Sequence, residues 1–259
     1  MIHILFVGYG KDQTYYENIK SEFWHGTSFS WLDNASAKGN ICGKPFMCPS
    51  SNRLYEFSGY FDILENFMAL QPNTSGSVIW LLNDTSIDHH AFFLWKKIVK
   101  YSTFRDLKDV VLADVRAGEN LDGIYQYAAS WMYVFKSDDA FMFSECLKLV
   151  LNYGSANIRY YEVEAIERFG LHLDRVKRER LLTWLFSQKK YRGWQYASEF
   201  KSVPFSVRVR KGICIEMESL LTTELKTAGI SFVDLKSHSV GFFVSVLDRL
   251  ITLIIKVRK

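Results

Sequence analysis

The hydrophobic and polar positions of the chain begin as short apolar runs alternating with amphipathic stretches. Ile2 to Val7 is a β-branched and aliphatic run that ends in Gly8-Tyr9-Gly10, the way a buried strand gives way to a loop. Residues 12 to 23 place Tyr15, Tyr16, Ile19 and Phe23 at helical spacing, and Ser28 to Leu32 reads as a second strand. From Asp33 to Tyr55 the chain is polar and small, without a period, and is read as one long loop. A helix follows from about Gly59 to Leu70, closed by Gln71-Pro72-Asn73 and Ser75-Gly76. Val78 to Leu82 is a third apolar strand, residues 90 to 101 read as a helix, and Val110 to Val115 reads as a fourth strand.

This strand and helix alternation predicts an α/β fold with a mainly parallel sheet flanked by helices. Ile124 to Phe135 has strand character, and Ser137-Asp138-Asp139 caps a helix running to about Asn152. Beyond it the chain turns helical, near 160 to 169, 174 to 187 and 212 to 228, the last ended by Gly229. The expected division is a domain over 1–238, with halves 1–118 and 119–238, followed by a separate helix over 239–259.

That last segment is apolar from Val240 to Val257, and its reach of about 27 Å as a helix falls short of a comfortable bilayer span. Ser245, Arg249, Thr252, Lys256 and Lys259 share one stripe, while Phe242, Phe243, Val246, Leu250, Leu253 and Ile254 occupy the other faces. Such a helix either lies in the membrane plane or packs its apolar face on protein, and the charged pair Asp248 and Arg249 disfavours a span.

Composition narrows the class. With 48% hydrophobic residues and 20 Phe, 14 Tyr and 7 Trp among 259 residues, the chain holds enough apolar surface for a sizeable core, which excludes disorder. The net charge of +4 is unevenly spread. Between Asp174 and Lys211 eleven Lys or Arg face three acids, with Trp184, Phe186, Tyr191 and Trp194 interleaved. This patch suits anionic lipid headgroups or the pyrophosphate of a lipid-linked acceptor; no nucleic-acid module is legible, so nucleic acid is not an expected partner. Cys42, Cys48, Cys146 and Cys214 form no paired spacing, and the N-terminus has no charged region leading into an apolar one, so free thiols and a cytoplasmic setting are expected.

Ligands in open α/β sheets bind beyond the carboxyl ends of the strands, which directs attention to Gly8-Tyr9-Gly10, to Asn83-Asp84-Thr85, and to Asp114 with Arg116. Gly8 to Gly10 lacks the dinucleotide fingerprint. Asp84, at the mouth of a buried strand, either coordinates a hard cation bridging phosphate oxygens or caps a helix.

Three segments together carry a resemblance: Asn52-x-x-x-Glu56-Phe57-x-x-Tyr60 ahead of a helix, the strand Val78 to Leu82 ending in Asn83-Asp84-Thr85, and Ser130-Trp131-Met132-Tyr133-Val134-Phe135. They resemble bacterial GT-A-fold glycosyltransferases that build O-antigens and other surface polysaccharides, over about residues 1 to 232. Glu218-x-x-Leu221-Thr222-x-x-Leu225 looks like the helix that follows their acceptor-side strands. The resemblance implies a GT-A-like, Rossmann-like fold with a helical C-terminal region, a nucleotide-sugar donor, and a lipid-linked or growing glycan acceptor at the cytoplasmic face of the inner membrane. Gly8, Tyr9, Asn52, Glu56, Asn83, Asp84 and Thr85 would bind the donor, and Ser130 and Trp131 would lie on the acceptor side. Asp84 would serve catalysis by facing the diphosphate and its Mg²⁺ or Mn²⁺. The family's Asp-x-Asp pair is missing, so either Asp84 holds the cation alone with water and diphosphate oxygens, with His89, His90 and His238 as further candidate ligands, or the cation is dispensable. Glu218 is the candidate catalytic base, with Glu216 as its alternative. Two other classes stay open: a nucleotidyltransferase on a related fold, and a non-catalytic partner in polysaccharide assembly.

Overall fold

A computed structural model of the chain describes residues 1–23, 26–48, 54, 56–88, 109–120, 123–163, 179 and 205–234. Its centre is strand β1 (Ile2–Gly8), flanked in parallel by β2 (Thr27–Asp33) on one side and β5 (Val78–Asn83) on the other. Helix α1 (Gln13–Ser21), capped at its start by the Asp12 carboxylate, joins β1 to β2. Helix α2 (Glu56–Leu70) precedes β5, and the short helix α3 (Asp84–Asp88) follows it. The chain therefore leaves β1 to one side and returns on the other, which opens a crevice at the carboxyl ends of these strands.

The region read as a loop between Asp33 and Tyr55 contains a hairpin, β3 (Lys38–Ile41) and β4 (Lys44–Met47), which extends the sheet antiparallel to β2. Its strands are four residues each, too short and polar to show a period. The stronger signal was the turn, because Cys42 and Gly43 both adopt positive φ (50° and 89°), as a two-residue hairpin loop requires.

Beyond β5 the sheet continues through β7 (Gly123–Lys136), β6 (Val110–Asn120) and β8 (Ser231–Asp234), giving the order β4-β3-β2-β1-β5-β7-β6-β8. β7 runs antiparallel to both β5 and β6, and β8 lies parallel to β6. The sheet is thus mixed rather than mainly parallel, because β3 and β7 run against the others. The polar and aromatic alternation of 124 to 135 marks the strand but says nothing about its direction. Short β8 went unread for the same reason as the hairpin.

Alternate residues of the strands face opposite layers. Ile4, Phe6, Trp80 and Leu82 pack with Tyr16 and Ile19 of α1 and with Phe29. Leu5, Val7, Ile79, Leu81, Tyr133 and Phe135 pack with Phe57, Tyr60, Ile63 and Phe67 of α2 and with two further helices, α4 (Ala140–Val163) and α5 (Phe205–Thr227). Each fully buried Leu, Ile or Phe here contributes about 1.5–3 kcal/mol. Helix α4 runs past Asn152, its expected end, and absorbs the start of the helix read near 160. Gly154 does not stop it but lets α5 approach: a Cβ there would sit 2.7 Å from Met217 Sδ and 3.1 Å from Leu54. Helix α5 begins at Phe205, before the expected Gly212. The segments read as helices at 90–101, 174–187 and 239–259 lie outside the described residues, apart from Glu179. Among the described residues no helix is long and apolar enough to cross a membrane.

At the opposite end of β1, His3 is buried with its ring 4.9 Å from that of Phe67. Burial, and then the N-terminal ammonium, lower its pKa from 6.5. The unfolded chain therefore binds this proton more readily than the fold does, so His3 costs stability as pH falls below about 6.5. Equilibrium unfolding of wild type against His3→Leu at pH 7.5 and pH 5.5 should show wild type losing more stability on acidification, by up to about 1 kcal/mol. Equal losses would show that His3 does not titrate across folding.

Candidate active site

The site forms where β7 leaves the ladder. Ala113 pairs with Tyr133 and Val115 with Ala128, so two steps of β6 face five of β7, while pairing of β5 with β7 ends at Leu82 and Met132. Residues 129–131 bulge out beyond the mouth of β5, a device that commonly re-aims side chains beside functional sites. Bulged backbone still needs partners, and side chains of the neighbouring elements provide them.

Ser130 is bonded on every side. Its amide donates to Glu218 Oε1 at 3.0 Å, and its carbonyl accepts from the Tyr60 hydroxyl at 2.5 Å and from Asn83 Nδ2 at 3.4 Å. Its Oγ lies 2.6 Å from Glu56 Oε1 and 2.6 Å from Glu218 Oε1. Two residues back, the Ala128 amide donates to Thr222 Oγ1 at 2.9 Å, and that hydroxyl donates to the Glu218 carbonyl at 2.8 Å. Glu218 and Thr222 stand one turn apart on α5 and so present one face to the bulge. Glu56 reaches it from the first turn of α2, a helix that starts three residues before the expected Gly59.

The electrostatics follow from burial. Desolvation raises the Glu218 pKa above the usual carboxylate value, and Glu56 raises it further, against the Ser130 hydrogen bonds and the Lys211 ammonium, which pull it down. Tyr60 is raised well above 10 by burial, and then by Glu56, Tyr133, Asp84 and Glu218, so it remains a phenol and a fixed donor. Asn83 is 4% exposed, and no hydrogen-bond partner for its Oδ1 is found among the described residues.

A second cluster lies at the carboxyl ends of β1 and β2. The Gly10 amide donates to Asp33 Oδ1 at 2.7 Å, and the Ser36 amide to Asp33 Oδ2 at 3.1 Å. The Asn34 amide donates to the Gly8 carbonyl at 2.9 Å. Tyr16 stacks on Trp31 with centroids 4.2 Å apart, and its hydroxyl would lie 2.5 Å from a Cβ at Gly8, so this position requires glycine. Burial raises the Tyr16 pKa most, followed by the charges of Asp33 and Asp84. Tyr9 is exposed on the loop above.

The structure thus brings together Glu56, Asn83, Ser130 and Glu218, and sets Gly8 and Tyr9 at the neighbouring strand end. Asp84 opens the short helix α3 (Asp84–Asp88), half-buried, with Thr85 following it; Trp131 follows Ser130 in β7. Asn52, His89, His90 and His238 lie outside the described residues. Two expectations need correction. Asp114 does not end a strand, because β6 runs on to Asn120, and Glu216 turns away to accept from the Tyr153 hydroxyl at 3.0 Å. Sequence reading missed Asp33, which closes β2, because the polar run from Asp33 to Tyr55 reads as a loop and hides the strand end.

The described residues do not assemble a cation site. No group of three or more His, Cys, Asp or Glu among them is placed to hold a metal, and Asp33, the carboxylate nearest in role to Asp84, is committed to backbone amides. All four cysteines are free, and burial pushes Cys48 to about 12 and Cys146 to about 11, leaving neither a ready nucleophile. Comparison with protein-family models, curated proteins and solved structures finds no match to this chain. What stands is an α/β protein with a mixed open sheet flanked by helices and an acidic cluster at the mouth of its central strands.

A folded-state carboxyl raised above its unfolded pKa binds more protons in the fold, so stability falls as pH rises from about 4.5 through the folded value. Glu218→Gln keeps an acceptor for Ser130 and removes the titration. Thermal unfolding from pH 4.5 to pH 8 should show the variant gaining on wild type as pH rises. A constant difference would place Glu218 at an ordinary carboxylate pKa.

Proposed function

We propose that the protein is a glycosyltransferase that moves a sugar from a nucleotide-sugar donor to a lipid-linked or growing polysaccharide acceptor. The observation that carries this reading is the desolvated Glu218 carboxyl, held by Ser130 beside Glu56 at the carboxyl end of the central strands. Glycosyl transfer by inversion needs a base near the acceptor hydroxyl and polar groups for a departing diphosphate. A carboxyl whose pKa is raised by burial is a stronger base than an exposed one, which suits the role.

In this reading the Gly8-Tyr9-Gly10 turn and Asn34 border the nucleoside, with exposed Tyr9 offering a ring to the base. Asn83, Asp84 and Thr85 serve the donor, as does Asn52, which lies outside the described residues. Ser130, Trp131 and Glu218 form the acceptor side. Asp84 would be the residue that holds Mg²⁺ or Mn²⁺, which would offset the charge of the departing diphosphate. Attachment to the cytoplasmic face of a membrane through 240–259 belongs to the same proposal and rests on the amphipathic pattern of that segment.

The test is a panel of nucleotide sugars presented to the full-length chain with membrane extract as acceptor, reading release of nucleoside diphosphate. One donor should turn over, and Glu218→Gln should lower that turnover by about 10²–10⁴-fold, the usual worth of a general base. Release of pyrophosphate from a nucleoside triphosphate and a sugar phosphate would instead identify a nucleotidyltransferase. Failure of every nucleotide to bind or react would leave a non-catalytic role.

A further inference from the structure

Ser130 Oγ lies 2.6 Å from a carboxylate oxygen on each side, Glu56 Oε1 from α2 and Glu218 Oε1 from α5. A serine hydroxyl owns one hydrogen and can donate to only one of them. The other contact, equally short, requires a hydrogen supplied by the carboxyl itself. Two half-buried carboxylates bridged by one oxygen also repel when both are charged, as in other acidic pairs that share a proton. We infer that Glu56 and Glu218 hold one proton in common through the Ser130 hydroxyl and work as a two-station relay. In one state Glu56 carries the proton, donates to Ser130 Oγ, and Ser130 donates to a charged Glu218. In the other the hydroxyl has turned, Glu218 is protonated and Glu56 is charged.

The surrounding charges and donors fit this pairing. Lys211 acts on Glu218 from its own helix, while Tyr60 of α2 and Tyr133 of β7 stay protonated. The Ser130 amide gives Glu218 Oε1 a fixed donor, and the carbonyl bonds from Tyr60 and Asn83 fix the serine backbone, so only the hydroxyl need turn. Ser130 is then a positioning residue, and Glu56 is the place where the proton waits while Glu218 is a charged base.

Resting on the transferase reading, the chemistry balances. The acceptor O–H bond breaks and its proton passes to Glu218, a bond forms between the acceptor oxygen and the anomeric carbon, and the bond to diphosphate breaks with its electron pair leaving on the phosphate oxygen. The pair then holds two protons and returns one to water.

The test needs no substrate and so stands apart from the fate of that reading. Infrared spectra of the full-length protein near pH 7 should contain a protonated-carboxyl band that is lost in Glu56→Gln and lost equally in Glu218→Gln, because a single proton belongs to both. Ser130→Thr, which keeps a hydroxyl, should retain the band, and circular dichroism checks that each variant is folded. Absence of the band from wild type, or its loss in only one of the two glutamine variants, would overturn the shared proton. If the band behaves as expected and no nucleotide sugar turns over, the pair stands and the transferase assignment falls.

Discussion

The bonding of Ser130 is the constraint on which the site depends. β7 runs between β5 and β6, antiparallel to both, with residues 129–131 outside the ladder. Peptide groups removed from a ladder and kept from water must find other partners, at a cost of roughly 1–3 kcal/mol for each one left unmet. Here Ser130 finds side chains: Glu218 for its amide, and Tyr60 and Asn83 for its carbonyl. The irregularity and the acidic cluster are thus one feature.

The same constraint ties three layers of the fold together. α2 must lie close over β1 to bring Glu56 and Tyr60 to the bulge, and Gly59 makes the approach possible, since a Cβ there would meet Val7 Cγ1 at 2.5 Å. α5 must pack against β7 with Glu218 and Thr222 facing the strand, and Gly154 lets α4 close behind it. Packing and polar satisfaction agree at each of these places, which is the consistency expected of a sequence that specifies one structure.

Much of this was legible in the order of residues. The apolar runs at Ile2, Ser28 and Val78 gave the central strands to within two residues, because buried parallel strands are nearly continuous in hydrophobicity. Glu56 and Glu218 could be singled out by resemblance, and Asn83 by its place at a strand end. What escaped was whatever depends on pairing across the sheet. The hairpin at 38–47, the short β8 and the direction of β7 are set by tertiary partners, and local period is silent about them. Ser130 could be placed near the site but not at its centre, because a bulge leaves no mark in a strand that reads Tyr-Ala-Ala-Ser-Trp-Met. The second cluster, around Asp33, was hidden because the end of β2 merges into a polar run without a period.

The proposed function needs the two strand ends to form one ligand site, and amide chemical shifts measured during titration with nucleoside diphosphates test that union most directly. Gly10, Asn34 and Ser130 should move together, with one common dissociation constant for the preferred nucleotide. Shifts confined to other surfaces, or three amides that stay still for every nucleotide at millimolar concentration, would contradict it.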